Sequence, residues 1–290
     1  MPELPEVEIT KRQLGPHLVG HRIEKSRFTK ASYFFLTPPS TLQRKLQDRV
    51  VTRLERLGKY LLLSFETDEQ LLLHLGMSGQ LFFPGQSSAL LDSSKKGRTL
   101  NSEEQCRFSA DEHTHAQFIL SNNKHLVFRD VRKFGKIQWL APGQSSDRLK
   151  KLGPDALSIS AKQLWTAAQH RRIALKSFLL DQNVVAGIGN IYADEALFLA
   201  KLHPAMPAHS LSKEQAKLLC TKIKRILNEA IEAGGSSLKD FIQPDGKRGN
   251  YQTQRLVYGR KAEPCPRCNA PISHIVLGAR SSHFCPRCQA

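Results

Sequence analysis

Short apolar runs broken by turn-forming residues dominate the first half of the chain. RVVTRLERL (49–57), KYLLLSF (59–65), QLLLHLGM (70–77) and GQLFF (79–83) follow one another through LGK, ETDE and SG. Runs of this length with such joints predict antiparallel hairpins. HAQFILS and HLVFRDV, linked by the polar NNK, predict another pair. The stretch from about 21 to 140 is therefore mostly β, a sandwich or barrel. Ahead of it, PEVEITKRQL (5–14) has a helical pattern. Pro5 suits a first turn, acids come early and bases late, and Gly15-Pro16 is expected to stop it.

The segment PGQSSALLDSSKKGRTLNSEEQ, from 84 to 105, is rich in Ser and charge and reads as a mobile surface insertion. Residues 141–153 open the Gly/Pro-rich stretch APGQSSDRLKKLGPD and form the expected linker. Beyond it the period changes. SAKQLWTAAQ, RRIALKSFLLDQ, NIYADEALFLAKL and SKEQAKLLCTKIKRILNEAIEAG repeat apolar residues at three and four, which predicts helices. The division expected is a β domain at 1–140, a helical domain at 154–250 and a cysteine-rich hairpin at 251–290.

Charge narrows the partner. Lys and Arg number 43 against 26 Asp and Glu, a formal net charge of +17. Such a surface steers polyanions and gains affinity by releasing their counterions. Anionic membranes attract basic proteins too, but the longest apolar clusters, such as LLLHLGM, fall far short of a span, and no basic-then-apolar leader opens the chain. A cytoplasmic protein is expected, associated with the nucleoid.

Cys265-Pro-Arg-Cys268 and Cys285-Pro-Arg-Cys288 are separated by 16 residues, a spacing that suits a four-thiolate zinc site. Each CxxC aims two sulfurs at one tetrahedral ion, and two of them close the shell. One structural Zn²⁺ is the expected cofactor. Arg267, Arg280 and Arg287 offset the two net negative charges of that site and give the module a positive tip fit for phosphate. Cys106 and Cys220 stand apart and read as ordinary thiols.

The chain begins MPELPEVE. Methionine before proline is ordinarily removed, which would expose Pro2 as a secondary amine. An α-amino group has a pKa near 7.7–8.0, so a usable fraction is unprotonated at neutral pH. Its condensation with an aldehyde carbon gives an iminium, whose positive charge needs no proton and acts as an electron sink. Glu3 adjoins it as a proton donor or relay. PELPE is equally a helix start with acids at the positive end of the dipole, and the octamer alone leaves both readings open.

MPELPEVE, LGKYLLL, LHLGMSG, FRDVRKFG, VAGIGNIYADEALF, SSLKDF, LVYGR and the terminal CxxC pair resemble, in that order, the motifs of bacterial formamidopyrimidine-DNA glycosylases. The resemblance implies an α+β multidomain fold: an N-terminal β-sandwich with a leading helix, a helix-two-turn-helix bundle with a lesion-covering loop, and a C-terminal zinc-finger β-hairpin. It implies a monomer acting on double-stranded DNA that contains oxidised bases or abasic sites, with glycosylase and lyase activities. Pro2 would attack C1′ and Glu3 would relay protons. Lys59 would serve β-elimination and Arg280 δ-elimination. The nucleotide must leave the stack for such chemistry, and Met77, Arg132 and Phe134 match the residues that fill the hole. His74, His113, Arg171, Lys176, Asn190 and Lys239 match DNA-contact positions. Related enzymes of the Nei type, directed at oxidised pyrimidines, begin PEGPE and lack the long loop after the last long helix, so this chain sides with the purine group. GKRGNYQ in that loop and Val131 before Arg132 depart from the common pattern. The rival classes are a Nei-like pyrimidine glycosylase and a zinc-stabilised DNA-binding protein without catalysis.

Overall fold

The structure is a computed structural model that describes residues 1–85, 99–100, 102–237 and 241–289. It divides into two compact units. Met1–Ser146 with Ala233–Gln252 form the first, and Asp147–Glu232 with Thr253–Ala290 form the second.

In the first unit, helix α1 (Leu4–Leu18) leads into β1 (Arg22–Phe28), α2 (Pro39–Leu46), β2 (Arg49–Leu57), β3 (Tyr60–Phe65), β4 (Gln70–His74) and β5 (Gly79–Phe82). A short α3 (Ser102–Cys106) precedes β6 (Thr114–Leu120), β7 (His125–Asp130) and β8 (Lys136–Leu140). The strands are hydrogen-bonded in the order β5-β7-β6-β1-β2-β3-β4-β8, with every neighbouring pair antiparallel. Leu81 near one end of that order and Ile137 at the other belong to one buried cluster with Leu61, Leu63, Leu71 and Leu73. A flat sheet could not bring its two edges into one core. The sheet therefore doubles over as a sandwich, as the run of hairpins predicts.

Three local expectations are corrected. Helix α1 does not stop at Gly15-Pro16 but runs to Leu18, with Pro16 inside it. Proline removes one N–H bond there, yet Leu14 and Leu18, four apart, both reach the sandwich core, and the Val19 N–H donates to the Gly15 carbonyl to close the end. Residues 39–46 are helical within a stretch read as strands, because Leu42 and Leu46 bury one helical stripe. The 84–105 insertion is not loose where it is described. Leu100 exchanges both backbone hydrogen bonds with the Gln80 side chain at 2.9 Å and packs with Phe82, Val127 and Phe108. Its residues 86–98 and 101 lie outside the described residues.

The second unit contains α4 (Asp147–Lys150), α5 (Ala161–Ala168), α6 (Leu175–Leu180), α7 (Asn190–Ala200) and α8 (Lys213–Glu232), then the hairpin of β9 (Ser273–Leu277) and β10 (Arg280–Phe284). Ser160 caps α5, its hydroxyl accepting the Gln163 N–H. Helix α8 buries Ala216, Leu219, Cys220, Ile223, Leu227 and Ala230, the three-and-four stripe read from the sequence, against α5 and α7. Gly278 and Ala279 both have positive φ, 52° and 59°, so the hairpin closes with a two-residue turn whose twist suits the strands, directly before Arg280.

Candidate functional site

Met1 is exposed, whereas Pro2 and Glu3 behind it are buried. Glu3 is the N-cap of α1, and its N–H donates to Glu6 Oε2 at 2.8 Å. Glu6 Oε1 accepts the Ser236 N–H, also at 2.8 Å. One carboxylate thus ties the helix start to the segment 233–237. A side chain at Gly235, where φ is +78°, would come within 3.1 Å of that Glu6 oxygen, so glycine is needed there. Glu6 orients the Glu3 backbone and satisfies a donor at the helix start. With Met1 attached, the Pro2 nitrogen is an amide and not nucleophilic. Removal of that exposed residue leaves a secondary amine on a rigid helical end.

Lys59 sits in the turn between β2 and β3, 7% exposed, after Gly58 at φ +55°. Helix α1 packs against both strands of that hairpin. The structure therefore gathers Pro2, Glu3 and Lys59 on two adjoining elements of the first unit.

Two neighbouring turns of the same unit carry Met77, Arg132 and Phe134. Phe134 is 45% exposed, Arg132 is exposed with its guanidinium 5.1 Å from the Phe134 ring centre, and Met77 is partly buried. In isolation the two apolar residues suit a core; the turns hold them at the surface instead. Asp130 is the organiser that sequence reasoning missed. Fully buried, it accepts the Ser78 hydroxyl at 2.6 Å and the Gly135 N–H at 2.7 Å, with the Arg132 N–H at 3.3 Å. The turns also touch backbone to backbone. A Cβ at Gly76 would lie 2.4 Å from the Gly135 nitrogen and 2.5 Å from the Phe134 carbonyl carbon. Tyr33, 57% exposed, donates its hydroxyl to the Arg132 carbonyl. His74, whose Nδ1 accepts the Gly76 N–H, and the partly buried His113 complete the predicted residues of this unit among those described.

In the second unit, Asn190 opens α7 after Gly187 at φ +105°, with its amide 3.4 Å from the Tyr258 hydroxyl. Arg171 is exposed. Lys176, matched by resemblance to a DNA contact, is instead fully buried. Its ammonium pairs with Asp194 Oδ1 at 2.7 Å and donates to the Ser281 carbonyl. Asp194 Oδ2 accepts the His283 N–H. Lys176 therefore acts in this structure as a strut beneath the strand that starts at Arg280, not as a surface cation. Glu195 next door accepts the N–H groups of Leu256, Val257 and Tyr258; burial pushes its carboxyl up against those three donors. Two acids inside the apolar run NIYADEALFLA need partners, but the sequence does not say which. Lys239 lies outside the described residues.

The thiol groups of Cys265, Cys268, Cys285 and Cys288 all lie within 4.8 Å of one another, with 4.0 Å between Cys265 and Cys288 and 3.4 Å between Cys268 and Cys285. Bonds of about 2.3 Å to one zinc put tetrahedral sulfurs roughly 3.8 Å apart, so the set fits the ion. The Ala270 N–H draws the Cys268 thiol down to about 7, while burial and the adjacent sulfurs push Cys288 up to about 12. Ionising all four together at this spacing calls for a cation among them. Phe198 of α7 packs beside Cys265 and Cys285, and Arg267 lies over its ring. The cluster suits one structural zinc with no position left for a reactant.

Known proteins resemble the chain along its length. Residues 1–137 match the formamidopyrimidine-DNA glycosylase N-terminal domain, 152–242 the formamidopyrimidine-DNA glycosylase H2TH domain, and 262–290 the zinc finger found in FPG and IleRS. A formamidopyrimidine-DNA glycosylase of Vibrio cholerae is 37% identical over 291 residues, covering 100% of both chains. That of Hydrogenovibrio crunogenus is 40% identical over 293 residues, covering 100% of this chain and 96% of its own. A solved Lactococcus lactis FPG mutant in complex with Fapy-dG-containing DNA superposes with a TM-score of 0.83 at 33% identity, covering 99% of each chain.

Proposed function

The chain belongs to the formamidopyrimidine-DNA glycosylase family, and on that premise we propose how its own residues remove oxidised purines from DNA and cut the strand. The observation that carries the reading is a buried Pro2-Glu3 pair fixed at the start of α1 behind an exposed, removable Met1. The freed Pro2 amine attacks C1′ of the flipped nucleotide. The glycosidic bond breaks, its electron pair leaving with the base, which takes a proton. Ring opening places a proton from Glu3 on O4′ and leaves an iminium between Pro2 and C1′. That electron sink acidifies the C2′ hydrogen. Loss of this proton expels the 3′ phosphate, with Lys59 as the proton-handling residue, and a second elimination expels the 5′ phosphate, with Arg280 holding it. Water then releases the enzyme.

Met77, Arg132 and Phe134 supply an apolar wedge, a guanidinium for the orphaned base and an aromatic plane, held together by Asp130. His74, His113, Arg171, Asn190 and Lys239 are proposed DNA contacts, and zinc holds the hairpin that presents Arg280. Among the described residues no helix is long and apolar enough to cross a membrane; association with the nucleoid follows from the DNA substrate.

Borohydride reduction of the Met1-processed protein mixed with an 8-oxoguanine duplex tests this reading. A covalent protein–DNA adduct mapping to Pro2 is expected, together with excision of 8-oxoguanine opposite cytosine faster than of an oxidised thymine. Absence of the adduct overturns the Pro2 mechanism, and faster release of the thymine lesion overturns the purine assignment.

A further inference from the structure

Arg56 lies near the end of β2, three residues before Lys59, with its side chain only 8% exposed. Its guanidinium works in two directions. Nε donates to Glu8 Oε2 at 2.9 Å, and Nη1 donates to the Gly58 carbonyl at 3.0 Å. Glu8 stands on the helix that begins at Leu4, and its other oxygen is held by Lys11 at 2.8 Å and Arg12 at 2.9 Å. Gly58 is the residue immediately before Lys59 and has positive φ, so the bond to its carbonyl helps fix the peptide that carries the lysine.

We propose that Arg56 and Glu8 are positioning residues that hold the Lys59 turn in register with the helix bearing Pro2 and Glu3. The geometry suits this role better than stability alone. A hydrophobic pair of similar volume would join α1 to β2 at no desolvation cost. The planar guanidinium engages a carboxylate on one element and a carbonyl in the adjoining turn through separate nitrogens, which fixes the two directions relative to each other as a rotatable ammonium does not. The Glu8 carboxylate is held as an anion: burial would raise its pKa, but Lys11, Arg56 and Arg12 bring it down to about 2. At neutral pH it is thus a permanent anchor. Lys11 and Arg12 fix its orientation from the exposed side, leaving one oxygen for Arg56.

This role depends on Lys59 being the elimination residue proposed above. Two full-length, Met1-processed variants, Arg56→Met and Arg56→Lys, test it beside Lys59→Ala. Each is assayed on a preformed abasic site for borohydride trapping, which reads Pro2, and for strand cleavage, which reads elimination. Arg56→Met is expected to trap near the wild-type level while kcat for cleavage falls about 10- to 100-fold with little change in KM, the scale of a misplacement near 1 Å. Arg56→Lys keeps the charge and the Glu8 ion pair but lacks the second prong of fixed direction toward Gly58, so it should fold and still show the cleavage defect. Adding Arg56→Lys to Lys59→Ala should cause no further loss, because the group being positioned is gone. Trapping and cleavage that fall in parallel, wild-type cleavage by Arg56→Lys, or additive losses in the double variant would each overturn the proposal. Should Lys59→Ala itself cleave normally, the assignment of Lys59 fails, an outcome distinct from an unimpaired Arg56→Lys beside a defective Lys59→Ala.

Discussion

At the scale of single residues, buried acids govern where exposed ones point. Asp130 makes this concrete, since its two oxygens receive a hydroxyl and two backbone N–H groups from the turns that carry Met77, Arg132 and Phe134. Asp130→Asn would turn an amide donor toward groups that themselves donate. A loss of about 1–3 kcal/mol of folding stability is expected from the unsatisfied buried donors. Denaturant titration measures it, and an unchanged midpoint would contradict the account. The preference for lesion-containing over undamaged duplex should fall as well, because the wedge and the guanidinium lose their common anchor. The four zinc cysteines were legible in the sequence because CxxC spacing is local, and Pro2 and Glu3 stood out as candidates by their position at the chain start. Asp130, Arg56 and Asp194 were not. Their partners stand 52, 48 and 89 positions away at Ser78, Glu8 and His283, and nothing in the chain order announces those meetings. Lys176 shows the same limit from the other side: a lysine flanked by matching motifs reads as a surface cation until its burial and its carboxylate are known.

At the scale of elements, period and turn chemistry were enough for most of the fold. The leucine runs of β3 and β4 set Leu61 opposite Leu73 and Leu63 opposite Leu71 in one core, and the stripe of α8 was visible as threes and fours. The failures came where burial outweighed a local breaker or a weak propensity: Pro16 inside α1, and the short α2 that opens with two prolines. The zinc hairpin is the element most dependent on something other than its own side chains. Its buried apolar cover is Phe198, Val257, Ala270 and Ile272 with two of the cysteines, flanked by the partly buried Leu199 and Leu256, a small cluster to hold its loops without metal. Chelation should therefore abolish DNA binding and strand cleavage, and added Zn²⁺ should restore both. Cys288→Ser should reproduce the loss without chelator. Circular dichroism is expected to keep the sandwich and helical signals while cleavage disappears. Full activity in a metal-free preparation, verified by elemental analysis, would refute a structural role for the ion.

At the scale of the whole molecule, the excess of 43 basic over 26 acidic residues has to act through phosphate. An ion pair such as the exposed Arg225–Glu229 removes one charge of each sign, so the net charge of +17 remains as a long-range field. That field sets affinity for any duplex, whereas in the mechanism proposed the wedge turns and the Pro2 end act on a flipped nucleotide. The two contributions should separate with salt. Binding to undamaged duplex should weaken steeply and linearly on a log–log plot, each neutralised phosphate contributing about −0.9 to the slope. Arg171→Ala, at an exposed site, should reduce the steepness by about 0.9 for damaged and undamaged duplexes alike, leaving their affinity ratio intact. Asp130→Asn should do the reverse, lowering the ratio while the slope stays. Fluorescence anisotropy over a salt series measures both quantities in one experiment. A ratio that moves with Arg171, or a slope that moves with Asp130, would show that charge and lesion recognition are not divided between these residues as their positions indicate.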